Sequence, residues 1–283
     1  ICGTNLKGLG TAQNVYANDY EDQFAKQGGS RPLTWSWFTE NWPDSDVGWQ
    51  GTENRGITVG ASLYLLVREA DVSPKSFVCP SGGETPYDGK NPWNNDLVEL
   101  WDFGKAGSPY PPGPFGAVSY SYHDPYGRRA ASGSATASFA IMADRNPFFD
   151  PKLEWASGPD PALANAWTGK IVRIPPYWVT GSNYEKWMIQ VGNSQPHGRE
   201  GQNVLFGDGH NAFEKTPDCG VRNDNIYTLQ GGPTTDGQDI RCGRTNADLY
   251  ARSACLVANV QTGQGLDPAH VDDSLLVNDF PEP

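Results

Sequence analysis

CGTNLKGLGTAQNVYANDYEDQF, residues 2–24, is the stretch on which the fold turns. At helical period Leu6, Leu9, Ala12, Tyr16 and Tyr20 line one face, with Val15 beside it, while Lys7, Asn14, Asn18 and Glu21 fall opposite. Thr4 or Asn5 is placed to cap a turn that begins near Leu6. Gly8 and Gly10 each weaken a helix by about 1 kcal/mol relative to Ala, so the segment needs a surface to pack on. At roughly 1.5 Å per residue it runs about 30 Å, enough to cross one face of a small domain. By pattern alone this is an amphipathic core helix.

The rest of the chain has a different character. Gly 33 and Pro 23 make up about a fifth of the 283 residues, 12% are aromatic, and only 19% are charged. That is the composition of a loop-rich, β-containing extracellular type of protein, with ample length for a core. A net charge of -12 argues against nucleic acid and anionic membrane surfaces as partners. Cys2, Cys79, Cys219, Cys242 and Cys255 show neither CxxC nor Cys/His ligand spacing, so local spacing points away from a zinc site. Widely separated cysteines beside Pro, Gly and polar residues point to an oxidising compartment, with two disulfides and one leftover thiol. No apolar run is long enough to span a membrane. The chain opens at Ile1, in the middle of a working segment, which leads to the expectation of a processed or truncated product with something lost upstream.

Four regions follow: an N-terminal helix over residues 1–28, a second helix over 59–70, an antiparallel sheet with loop insertions over 117–230, and a loop-rich C-terminal region over 231–283. The second helix shows Leu63, Leu66 and Val67 on one face and is stopped by Asp71-Val72-Ser73-Pro74. Lys75 to Pro80 reads as extended. Residues 81–116 and 146–181 are long Gly-, Pro- and Trp-bearing excursions. Strands are expected at 119–122, 138–143, 186–191 and 203–206, with a weak one at 274–277. Asp208-Gly209, between NVLFG and HNAFE, signals a two-residue hairpin turn. Helices first and a meander of strands afterwards favour an α+β fold over βαβ units.

The densest chemistry lies between His197 and His210. A strand of about seven residues spans roughly 23 Å, which separates His197 from Asp208 unless the chain folds back. Asp144, ending a strand, could join Asp208 and His210 as an acid/base or metal group. Turn chemistry accounts equally well for Asp208-Gly209, and His197 could simply bond a strand end. No nucleophile elbow, P-loop or dinucleotide fingerprint is present. Asp267, Asp272, Asp273 and Asp279, with Asp236 and Asp239, offer oxygen ligands for calcium, without EF-hand spacing. Trp-rich loops, including Trp35 and Trp93, could stack sugars or pin loops and subunit contacts.

Taken together, three stretches resemble the large bacterial family of prepilin-like proteins related to type II secretion pseudopilins. Cys2 to Gly10, followed by Tyr16-Ala17-Asn18-Asp19-Tyr20, looks like the segment after that family's hydrophobic stem. Phe77-Val78-Cys79-Pro80-Ser81 looks like its second cysteine motif. His197 through Gly209 looks like its prepilin-processing signature of a His, nine residues and Asp-Gly, although ten residues intervene here. The likeness covers a few dozen residues.

What the resemblance implies is a single pilin-like domain with a long N-terminal helix across an antiparallel sheet, the helix using Leu6, Leu9, Tyr16 and Tyr20 for assembly. It also implies a non-enzymatic subunit of an extracellular filament or pseudopilus whose partners are copies of itself. Membrane contact would come only through an apolar stem before Cys2. The preferred disulfide is Cys2 with Cys79, and Cys219 would pair with Cys242 or Cys255. A carbohydrate-binding module using Trp35 or Trp93 is the alternative, followed by a metal-dependent hydrolase using Asp144, Asp208 and His210.

Overall fold

The computed structural model describes residues 1–27, 58–89, 96–104, 113–125, 129–147, 192–227 and 271–279. Helix α1 spans Cys2–Asp19 and helix α2 spans Val59–Glu69, with a single-turn helix α3 at Pro114–Ala117. The strands are β1 (Tyr120–His123), β2 (Ala140–Asp144), β3 (Gln202–Phe206), β4 (Asn211–Glu214) and β5 (Leu276–Val277). They form one antiparallel sheet in the order β4-β3-β2-β1-β5. The fold is therefore α+β. The expected strands around 119–122, 138–143, 203–206 and 274–277 are present, and the one at 186–191 lies outside the described residues.

Period-two alternation gives the sheet two buried faces. Tyr120, Tyr122, Ile141 and Leu205 point to the helices and join Leu6, Leu9, Tyr16, Leu63, Leu66, Phe77 and Phe103 in the main core. Ala140, Ala143, Val204, Phe206 and Leu276 belong to a second cluster, completed by Ile226 and Tyr227. An irregularity between Ala140 and Met142 shifts the β2–β3 register.

Helix α1 departs from its sequence reading at both ends. It starts at Cys2, not Leu6, and its N-cap, Ile1, makes no side-chain cap bond. Asn5 is drawn instead into the body, where its Nδ2 donates to Val78 O (3.0 Å) and Tyr120 Oη (3.3 Å). The helix ends at Asp19, short of Phe24 and of position 28, because Glu21 and Asp22 adopt positive φ and turn the chain back. Buried Gln13 fixes that return, its Oε1 accepting from Ala25 N at 2.8 Å. Tyr20 therefore leaves the packed face; it is 42% exposed and stacks on Tyr16.

Gly10 explains how α1 lies so close to the sheet. A Cβ built there would sit 2.7 Å from Leu205 Cδ1, whereas one at Gly8 meets nothing. One glycine is a packing requirement and the other is a plain weakness in the helix.

Helix α2 is buried along its whole length from Val59 to Val67, not on one face. Thr58 caps it through Ala61 N (2.8 Å), and both oxygens of Asp279 accept at 2.7 Å from Val59 N and Gly60 N. Asp71, at positive φ, ends it where the sequence indicated. The expected extended piece after it is a 3₁₀ turn at Pro74–Phe77, which Ser73 caps, before the chain extends through Val78.

His123 is fully buried in β1, with Nε2 donating to Arg129 O and Nδ1 accepting from Leu275 N. Burial, the dominant cause, pushes its pKa down to about 4, so the folded chain keeps it neutral.

Two measurements follow from this packing. In chemical denaturation, Gly8→Ala is expected to add about 0.5–1 kcal/mol, while Gly10→Ala loses roughly 1–3 kcal/mol despite the same gain in helix propensity. For His123, the unfolded chain takes up a proton as pH falls below 6.5 and the folded chain does so only near 4, so stability drops across that window. The contribution reaches about 3 kcal/mol at the acid end. A His123→Gln variant, whatever its absolute stability, should show a flatter profile between those two values than the wild type.

Candidate functional site at the start of α1

A disulfide joins Cys2, the first residue of α1, to Cys79, with their Cα atoms 5.2 Å apart. This is the pair preferred from the sequence. Both cysteines are buried, and Cys79 N is held by Ser119 Oγ at 2.8 Å. Cys219 is half-buried and forms no disulfide among the described residues, and burial pushes its thiol pKa well up. The partners expected for it, Cys242 and Cys255, lie outside the described residues.

Two residues from distant parts of the chain meet this disulfide. Asp144 ends β2 with its side chain wholly buried, and the β2–β3 register sets it beside Asn203. Its Oδ2 accepts from Asn203 N (2.6 Å) and Asn203 Nδ2 (2.9 Å). Its Oδ1 is buried and has no hydrogen-bond partner among the described residues. His197 comes from the turn before β3, where His197, Gly198 and Arg199 all take positive φ. That left-handed run aims the imidazole inward, so Nε2 lies 3.3 Å from Asp144 Oδ2, 3.2 Å from Asn203 Nδ2 and 3.7 Å from Cys79 Sγ. The hydrogen bond to Asp144, more than its charge, holds the His197 pKa above the ordinary value against the opposing effect of burial. One potential ligand atom each from Cys2, Cys79, Asp144 and His197 lies within 4.8 Å of the others.

The other expected constellations are not assembled in this way. Asp208 and His210 flank Gly209 (φ 81°) in the β3–β4 hairpin and are about half exposed. Asp208 Oδ1 accepts from His210 N at 2.9 Å and also meets His210 Nδ1. The His210 amide and then its side chain hold the Asp208 carboxyl below its usual range. His210 also stacks on Phe206. This is turn chemistry. Asp144 lies beside the start of β3 and Asp208 beyond its end, so Asp144 does not join Asp208 and His210. Its partner is His197, which thus bonds a strand end, one of the roles its sequence position allowed.

Of the aspartates considered for calcium, the three among the described residues have partners within the chain. Asp272 pairs with Arg222 at 2.5 Å, Asp279 caps α2, and Asp273 is buried beside Asp224, whose carboxyl is pushed well up by burial and by Asp273. Asp236, Asp239 and Asp267 lie outside the described residues. A cavity of about 390 Å³ also opens near the site, lined by Ser81, Glu84, Phe115, Arg145, Gln195 and Pro196. An Arg145–Glu84 ion pair of 2.9 Å crosses it, so its charges are already matched.

Asn203 is the participant that sequence reasoning did not single out. As an ordinary polar residue in a strand it gives no local signal. Opening the covalent link has a readable cost. It closes a loop with a sequence separation of 77 residues, so Cys79→Ser should lower stability by about 4 kcal/mol in denaturant titrations. Non-reducing peptide mapping should recover Cys2 linked to Cys79; finding Cys2 free, or joined to Cys219, removes the pair. Among protein-family models, curated proteins and solved structures, none matches this chain.

Proposed function

We propose that this chain is a structural, self-assembling and non-catalytic subunit of an extracellular filament or secretion pseudopilus, built on a pilin-like plan. The observation that carries this is the two-sided use of α1. Its inner face, through Leu6, Leu9, Gly10 and Tyr16, is committed to the domain core. Its outer face presents Thr4, Lys7, Gly8, Thr11, Asn14, Val15, Asn18 and Asp19 to solvent, with two charges of opposite sign among them. An exposed helix with so few charges, fixed to its domain by a disulfide, is suited to pack against the same helix in neighbouring copies. The disulfide fits an oxidising, extracellular setting.

Pilin-like assembly expects an apolar helical stem preceding Cys2, and no helix among the described residues is itself long and apolar enough to cross a membrane. The hydrolase alternative loses its constellation, since Asp144 is remote from Asp208 and His210. The carbohydrate alternative rests on Trp35 and Trp93, outside the described residues.

Negative-stain microscopy of the native protein, with its N-terminus established by intact mass, should show filaments or short rods. Thr11→Lys combined with Val15→Asp should abolish them while leaving the thermal transition of the monomer within a few degrees. Monodisperse monomer from stem-bearing wild-type protein would refute the proposal.

A further inference from the structure

We propose that Cys2, Cys79, Asp144 and His197 constitute a redox-gated zinc site, closed by the disulfide when oxidised and able to hold one divalent ion when reduced. This stands apart from filament assembly and rests on the site's own geometry. Four ligand atoms suited to zinc, two sulfurs, an imidazole nitrogen and a carboxylate oxygen, already lie within 4.8 Å of one another. A tetrahedral zinc with bonds of about 2.0–2.3 Å needs ligand separations of roughly 3.5 Å, so adjustments of about an ångström complete the shell. Thiolates with imidazole favour zinc over calcium or magnesium.

A second observation points to a ligand. Asp144 Oδ1 is buried and has no hydrogen-bond partner among the described residues, while Asn203 N and Nδ2 hold Oδ2 in place. A carboxylate oriented through one oxygen and left open at the other is the arrangement that supporting hydrogen bonds give to metal-binding carboxylates. His197 Nε2 already faces both Asp144 and Cys79.

The chemistry balances with a dithiol as reductant. Two electrons and two protons from the dithiol break the Cys2–Cys79 bond and give two thiols, and the dithiol leaves as its disulfide. Zinc then displaces both thiol protons to solvent and binds His197 through Nε2 with the ring proton on Nδ1, an imidazolium giving up its second proton to solvent as well. Reoxidation by a disulfide or oxygen expels the ion and restores the cross-link. The same four side chains thus anchor the start of α1 in either state.

The test loads the full chain with zinc, anaerobically, after reduction by the phosphine TCEP, and reads metal content by elemental analysis and fold by far-UV circular dichroism. The expected result is about one zinc per reduced chain and none in the oxidised chain. Cobalt(II) in its place should give a thiolate-to-metal charge-transfer band. Asp144→Asn and His197→Gln should each weaken binding tenfold or more, Cys79→Ser should abolish it, and Cys219→Ser should leave it unchanged. Three results would overturn the proposal: a reduced, folded chain that takes up no zinc; unfolding on reduction that zinc does not prevent; or binding indifferent to both Asp144→Asn and His197→Gln, which would assign the ion to other thiols.

Discussion

Helix α1 approaches the sheet to within the reach of a single missing methyl group. The Leu205 side chain occupies the space where a Cβ at position 10 would stand. That close approach allows Leu6, Leu9 and Tyr16 to be buried in one cluster with Tyr120, Tyr122 and Ile141. Other constraints act at the two ends of the same contact. The Cys2–Cys79 disulfide and Asn5 secure the start of the helix, and Gln13 secures the chain as it returns after Asp19. Because the interior is close-packed, the helix has one seat on the sheet, and its outer face is set by default.

The seat of α1 also determines where chemistry can occur. By fixing Cys2 beside Cys79, it puts a sulfur pair over the junction of β2 and β3, where Asp144 and Asn203 meet. His197 reaches the same point from a turn made of three consecutive left-handed residues. A conformation that unfavourable for His and Arg persists because the surrounding contacts hold it, and its outcome is an imidazole aimed at the disulfide. The cross-link and the His197–Asp144 pair are neighbours for the same reason that the helix and sheet are.

Charge is handled with similar economy at the second helix. Asp279, nearly at the far end of the chain, brings both carboxylate oxygens to the amides that open α2. Those amides have no partners within the helix, and a negative group there meets the positive end of the helix dipole. Consequently the C-terminal strand β5 and the Asp279 cap tie the tail to the domain, so an acidic segment that looks like a calcium loop in sequence serves as an anchor.

Much of the architecture was legible in the sequence because it depends on local periodicity. The apolar spacing at Leu6, Leu9, Ala12 and Tyr16 marked α1, alternation marked β1, and Asp208-Gly209 marked the β3–β4 hairpin, since each is set by a repeat or a turn preference within a few residues. Helix limits were less legible. Asn5 as a cap and Tyr20 as a packed residue were both reasonable locally; Asn5 was overridden by Val78 and Tyr120, far along the chain, and Tyr20 by the turn at Glu21 and Asp22 that ends the helix just before it. The candidate site was only half visible: His197 stood out as a residue that could bond a strand end, which it does at Asp144, whereas Asp144 was grouped with Asp208 and His210. Cys2, Cys79, Asp144 and His197 have no shared local spacing, so nothing in the linear order brings them together. Strand register and the seating of α1 do so, and those are decided by how the whole core packs, not by any one stretch of it.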